Sequence, residues 1–166
     1  MAAVGSMKAA LSERSLRVQM AGYAALVKIT GDVTEGLPML LAQLGHREAS
    51  VRRISIERLG ELREMAASAF SSILPCLQDQ SGEVRAAAAL ALVRIKAQCA
   101  EAVEMLIPLL SDAHPETRFN TALALATIGP AAQTAMPSLN TLTADPDQHI
   151  AEIAAAAIRS INGRNT

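Results

Sequence analysis

The sequence predicts an all-α fold: a right-handed α-solenoid of five stacked antiparallel helix pairs. Three observations predict it. The chain repeats itself, since "VRR" at Val51 returns as "VRA" at Val84, an offset of 33 residues (84 − 51). Within each repeat, apolar residues recur three and four apart, the spacing of a helical stripe. The composition is 51% hydrophobic but only 2% aromatic, with no Trp. A core must then be built from Leu, Ile, Val, Met and Ala, which favours helix over sheet.

Written in rows at that offset, the columns agree without gaps. Val18, Val51, Val84, Thr117 and Ile150 align, as do Leu26, Leu59, Leu92, Leu125 and Ile158. Ile29, Leu62, Ile95, Ile128 and Ile161 form a third column. Upstream in each row lie Val4, Leu37, Phe70, Val103 and Met136, then Met7, Leu40, Ile73, Leu106 and Leu139, then Leu11, Leu44, Leu77, Leu110 and Thr143. Each row is therefore a helix, a turn and a second helix. The whole chain, 1–166, reads as a single repeat domain, with repeats at approximately 1–33, 34–66, 67–99, 100–132 and 133–165. One helix pair cannot bury its apolar face alone, whereas stacked pairs can.

Turn chemistry supports the boundaries. Pro115 and Pro146 sit where a first helical turn accepts proline. Ser81 in "DQSGE" is a candidate N-cap. "TIGPAA" ends a helix at Gly129 and forbids its continuation at Pro130.

Charge and composition exclude several functions. A formal net charge of −1 and the scarcity of aromatic rings argue against nucleic acid. The longest apolar run, Ala86–Val93, is far short of the ~18 residues of a membrane span. The start, "MAAVGSMKAALSER", lacks the pattern of a signal peptide. Cys76 and Cys99 form no C-x-x-C and read as reduced thiols of a cytoplasmic protein. His46, His114 and His149 each fall in or beside a turn, none with a second ligand at metal-binding spacing. The run "RRISIERLGELRE" alternates arginine and glutamate at helical spacing, as a solvated, salt-bridged face does. No nucleophile or metal ligand accompanies it, so no catalytic residue, metal or cofactor is assigned.

The segment "AVEMLIPLLSDAHPETRFNTALALATIG" resembles a HEAT repeat, of the short kind found in bilin-lyase-like HEAT proteins. Pro75 and Pro108 match the family's helix-kinking proline, while Pro38 and Pro137 sit four residues earlier, as in the short bacterial variant. Asp79 with Arg85, and Asp112 with Arg118, match an Asp–Arg pair that ladders through such stacks. The pattern departs at His46 before Arg52, at Glu13 and Gln19, and at Asp145, which is followed by Ala151. The ladder is expected to weaken at both ends. The resemblance implies the fold, a second helix lining a concave face, and a scaffold function. It also permits a bilin-lyase-like enzyme subunit or chromophore chaperone. No "HE" dipeptide occurs to suggest the family's di-iron enzymes, nor a basic groove to suggest its DNA glycosylases.

Counting from the Val18–Ile150 column as position 0, a step of about 100° per residue puts positions 0, 4, 7, 8 and 11 in the core. Positions 2, 6, 9 and 13 then fall on the concave wall. The expected wall is apolar in the middle repeats, through Ala86, Leu90, Val93, Phe119 and Leu123, and charged at Arg53, Glu57 and Arg159. Large exposed apolar patches usually mark interaction sites. The expected function is a non-enzymatic scaffold that binds a protein or peptide on this wall, with Leu90, Val93, Phe119 and Leu123 central and Arg53, Glu57 and Arg159 at the rim. A self-associating structural module is the other reading. Ala151, Ala154 and Ala155 are expected to face a next repeat, so neither end is strongly capped and a homodimer is open.

Overall fold

The computed structural model describes residues 16–34, 36–95 and 100–163. Every regular element among them is helical: α1 (Leu16–Thr30), α2 (Gly36–Ala42), α3 (Ala49–Glu61), α4 (Phe70–Ile73), α5 (Gly82–Ile95), α6 (Val103–Leu106), α7 (Pro115–Ile128), α8 (Met136–Leu142) and α9 (Gln148–Ile161). The long helices α1, α3, α5, α7 and α9 stack side by side, and the short ones form a second layer against them. The predicted solenoid is the observed fold.

The two layers meet through the predicted columns. Leu59, Leu92 and Leu125 from the long helices are fully buried, as are Leu40, Ile73, Leu106 and Leu139 from the short ones. Burying each such side chain stabilises the fold by roughly 1.5–3 kcal/mol. Small residues let neighbours approach closely: a Cβ added at Gly60 would lie 3.1 Å from the Cα and Cβ of Ala91. In the first row two column residues, Val18 and Ile29, are exposed instead of buried. Val4, Met7 and Leu11, the upstream columns of that row, lie outside the described residues.

The first helix of each row is less regular than its stripe predicts, and proline decides how. Pro38 and Pro137 fall in the first turn of α2 and α8, where a missing amide costs nothing, and both helices run seven residues. Pro75 and Pro108 come later in their rows. Each removes an i to i−4 hydrogen bond. There the α-helix shrinks to four residues, and 3₁₀ turns follow at Leu74–Gln78 and Ile107–Ser111.

The connections out of α3 and α7 are near copies, 66 residues apart. Both run as 3₁₀ turns, Arg63–Ala69 and Gly129–Ala135, broken by a non-helical residue at Ala66 and Ala132. Each begins with a positive φ: +69° at Gly129, as its helix-ending role requires, and +50° at Arg63.

At the last helix, Ala154 is fully buried within the stack, while Ala151 and Ala155 are half-buried. The expectation that Ala154 faces a next repeat is therefore corrected: it packs inward. Gln148, His149, Glu152 and Arg159 are the exposed residues of α9.

Candidate interaction groove

The stretch "EVRAAAALALVRI" forms α5, with a neighbouring long helix on either side. That position explains an apolar helix with almost no polar face. Ala86, Ala87, Ala88, Ala89, Ala91, Leu92 and Val93 are all buried, and Leu90 is half-buried. Stacking covers positions 2 and 9 as well as the core positions. Asn120 Nδ2 on α7 donates to Ala86 O on α5 at 3.2 Å, and Thr117 Oγ1 donates to Gly82 O at 2.9 Å. Ser160 Oγ on α9 donates to Ala126 O on α7 at 2.7 Å. These bonds run from one long helix to the backbone of the one before it. They fix the rotation of each helix against its neighbour.

The open side of the stack is therefore turned toward positions −1, 6 and 10. Position −1 carries Arg17, Ser50, Glu83, Glu116 and His149, all exposed. Position 10 carries Lys28, Glu61, Arg94, Thr127 and Ser160, a polar column with its central residue Arg94 exposed. Between them, position 6 supplies Glu57, Leu90 and Leu123.

A cleft of about 450 Å³ lies across α3, α5 and α7 on this side. From α3 it is lined by Arg53, Glu57, Gly60 and Glu61, from α5 by Glu83, Ala87, Leu90, Ala91 and Arg94, and from α7 by Glu116 and Asn120. Arg53 Nη1 donates to Glu57 Oε1, and its Nε stands 3.5 Å from Glu83 Oε2 on the next helix. Glu61 accepts from Arg58 at 2.6 Å and from Lys28 at 3.2 Å. Burial works against the Glu61 carboxylate, but these two cations outweigh it and hold its pKa below the usual carboxylate value. Arg94 and Glu116 have no ion-pair partner among the described residues.

The structure treats the expected site residues unequally. Arg53, Glu57 and Leu90 come together in the cleft. Phe119 and Leu123 are half-buried on α7, outside its lining, and Arg159 is exposed on α9. Val93 is a correction: it is only 4% exposed. Position 9 faces the adjoining helix, so Val93 belongs to the stacking contact and not to the wall. Ala86, at 1%, is covered for the same reason. In the first row Met20, Ala24 and Val27 are buried where exposure was expected. The broad apolar wall thus contracts to Leu90, Phe119 and Leu123 among charges. Glu61, Glu83, Arg94, Glu116 and Asn120 were missed. A wheel turned to centre on positions −1 and 10 would have found the four charged ones.

A second charged system follows the edge where the turns stack. Arg52 bonds Asp79 through Nε and Nη2, each at 2.7 Å, and Arg85 bonds Asp112 in the same way. Arg118 bonds Asp145 at 2.7 and 3.1 Å. Each arginine also donates from Nη1 to the carbonyl six residues before it, that of His46, Asp79 or Asp112. The rungs therefore cross repeats: an arginine holds its own turn by the backbone and the next turn by the carboxylate. The rung below Arg52–Asp79 would join residues 19 and 46, which are Gln and His, so the ion-pair ladder stops there as expected. At the other end Asp145 is fully engaged by Arg118. Hydrogen bonds from the arginines are the leading cause that lowers the pKa of Asp79 and Asp145. At Asp112 burial opposes the charge, and Arg85 and the His114 amide overcome it.

The histidines sit in these turns. His46 Nδ1 accepts from the Glu48 amide at 3.1 Å, where Asp79, Asp112 and Asp145 accept with Oδ1 from the residue two ahead. An imidazole there imitates an Asx turn. The His114 side chain packs on Gly82, where an added Cβ would lie 2.5 Å from its Cβ and 2.6 Å from the ring's Cγ. Cys76 is buried, and burial pushes its thiol pKa up, the opposite of an activated nucleophile. Cys99 lies outside the described residues. Among the described residues no group of three His, Cys, Asp or Glu could hold a metal ion, and no helix is long and apolar enough to cross a membrane.

Stacked helix pairs, a bonded turn edge and an open groove define an armadillo-like repeat scaffold. A family model for HEAT repeats matches residues 37–102 and again 70–161, so the chain belongs to the HEAT-repeat family. No curated protein matches the sequence. Among solved structures, an engineered protein is similar at 22% identity and a TM-score of 0.75, over 97% of this chain and 80% of that one. A chain of the complex of CpcE and CpcF of phycocyanin lyase from Nostoc sp. is similar at 21% identity and a TM-score of 0.74, over 96% of this chain and 65% of that one. A designed armadillo repeat protein in complex with the peptide (KR)4 is similar at 19% identity and a TM-score of 0.74, over 97% and 82%. At these identities the likeness concerns the fold.

Proposed function

We propose that this chain, read as one stack of five repeats, is a non-enzymatic scaffold that binds a peptide or protein segment on the concave face of its middle repeats. The observation that carries the reading is the cleft across α3, α5 and α7. It sets the half-buried Leu90 between Arg94 and Glu116, charges with no ion-pair partner among the described residues. An apolar anchor ringed by polar groups is the anatomy of an interaction surface. Leu123 and Phe119 extend it along α7, Arg53 and Glu57 form one rim, and Arg159 lies beyond it on α9. A designed armadillo repeat protein of similar fold forms a complex with a peptide, which agrees with the reading. The lyase alternative has the fold likeness behind it, and no specific observation in the cleft favours it.

The test is a random-peptide display selection on the wild-type protein. Enriched peptides are then measured against the Leu90→Ser and Leu123→Ser double variant, with helicity and melting as controls. Binding should fall at least about tenfold in a variant that remains folded, since hot-spot truncations cost 2 kcal/mol or more. Equal binding to both proteins would place the interaction elsewhere.

A further inference from the structure

We infer that the occupant of the cleft is a basic, extended segment whose cationic side chains recur every third residue, held by Glu83 and Glu116. This rests on the groove reading above and adds the chemistry of the partner. Glu83 and Glu116 occupy the same position, −1, on adjacent helices α5 and α7, and both line the cleft. Glu116 has no ion-pair partner among the described residues. Among the described residues Glu83 has only the 3.5 Å approach of Arg53, a guanidinium already bonded to Glu57, and its side chain is 57% exposed. The cleft lining holds four carboxylates, Glu57, Glu61, Glu83 and Glu116, against two guanidiniums, Arg53 and Arg94. Glu57 is bonded by Arg53, and Glu61 by Arg58 and Lys28, so the lining carboxylates left to meet a partner are Glu83 and Glu116, against the guanidinium of Arg94.

Geometry sets the spacing. Packed helices lie about 8–10 Å apart, so equivalent carboxylates on α5 and α7 are about one such step apart. A polyproline II segment turns once every three residues and rises about 3.1 Å per residue, which brings side chains i and i+3 to the same side about 9 Å apart. Cations at i and i+3 therefore reach both glutamates. Leu90, between the two walls, takes an apolar side chain from the intervening residues. Arg94 on the far wall repels a cation there and so fixes which side of the segment faces the glutamates.

The probe is a fluorescein-labelled peptide of three Lys-Pro-Leu units, compared by anisotropy with its Glu-Pro-Leu counterpart and with a composition-matched peptide whose three lysines are adjacent. The lysine peptide should bind about tenfold or more tighter than the glutamate peptide and measurably tighter than the clustered one. Glu83→Gln or Glu116→Gln should each weaken it about threefold and the pair about tenfold, as solvent-exposed ion pairs do. Binding should also weaken with salt. The proposal is overturned if the lysine peptide does not bind, if the glutamate peptide binds as well, or if the double variant binds unchanged. The two readings fail separately. Display peptides that need Leu90 and Leu123 but show no cationic preference keep the groove and remove the basic occupant. Display peptides indifferent to both leucines remove the groove.

Discussion

Arg85 holds two repeats at once: its Nε and Nη2 reach Asp112 at 2.7 Å, while its Nη1 reaches the Asp79 carbonyl at 2.7 Å. The guanidinium fork matches the carboxylate and leaves one nitrogen for the backbone. Asp112 is 7% exposed, so its loss exposes Arg85 to an unpaired, largely desolvated state. Asp112→Asn should destabilise the fold by about 2 kcal/mol, the range for hydrogen bonds to charged groups. Glu116→Gln, on an exposed residue four positions on, should change stability by less than about 0.5 kcal/mol. Urea unfolding of both variants checks the contrast. Equal effects would mean that the ladder is ornamental to stability.

Arg63 stands where Gly129 stands two repeats later, and both have positive φ, +50° against +69°. A side chain in this region is strained, whereas glycine is not. Arg63→Gly should therefore raise stability by about 0.5–1 kcal/mol, despite the greater freedom glycine gives the unfolded chain. Thermal melting reads the sign. The reverse change, Gly129→Ala, should lower it by about 1–3 kcal/mol, because its ψ of −138° places it where only glycine is comfortable.

How much of this was legible in the sequence depends on the scale of the question. Period, fold and the inner columns were, because Leu59, Leu92 and Leu125 must all be covered and only one face of each helix can do it. The open face was not, because a single-helix wheel knows nothing of the neighbouring helix. Val93 looks exposed on the wheel of α5 alone and is covered once α7 packs beside it. Arg94, one residue on, is what the stack leaves in solvent. The direction of the ladder was equally hidden. Spacing shows Asp79 and Arg85 six residues apart, but only packing shows that Arg85 takes the backbone of one and the carboxylate of the next repeat's Asp112.

Thr121 carries a hydroxyl in the core that the fold does not use. It is fully buried, and its Oγ1 has no hydrogen-bond partner among the described residues. The same position in other repeats holds Ala88, Ala154 and Ser55, and Ser55 Oγ donates to Leu40 O across the two layers. Thr121→Val keeps the volume and removes the unpaired group, so it should stabilise the protein by about 1 kcal/mol. Ser55→Ala should do the reverse by a similar amount, because it leaves a buried carbonyl without its donor. Chemical denaturation of the two variants separates a wasted hydroxyl from a working one. If Thr121→Val destabilises, the hydroxyl has a partner in solution.

The ladder also predicts how the protein responds to acid. Asp79, Asp112 and Asp145 all have pKa values lowered in the folded state, chiefly through Arg52, Arg85 and Arg118. A carboxyl depressed on folding contributes stability above its unfolded pKa, about 3.9 for aspartate, and that contribution is lost as pH falls through the folded value. Stability should therefore be nearly flat from about pH 7 to 5 with respect to these groups and fall below about pH 4. Arginine stays charged throughout, so the slope reports the carboxylates alone. Glu61, lowered by Arg58 and Lys28, adds to the same slope from the cleft. Denaturation midpoints measured across this range should fall less steeply in Asp112→Asn than in the wild type, because the variant has already lost one of the titrating groups. A parallel slope in the variant would show that acid lability arises outside the ladder.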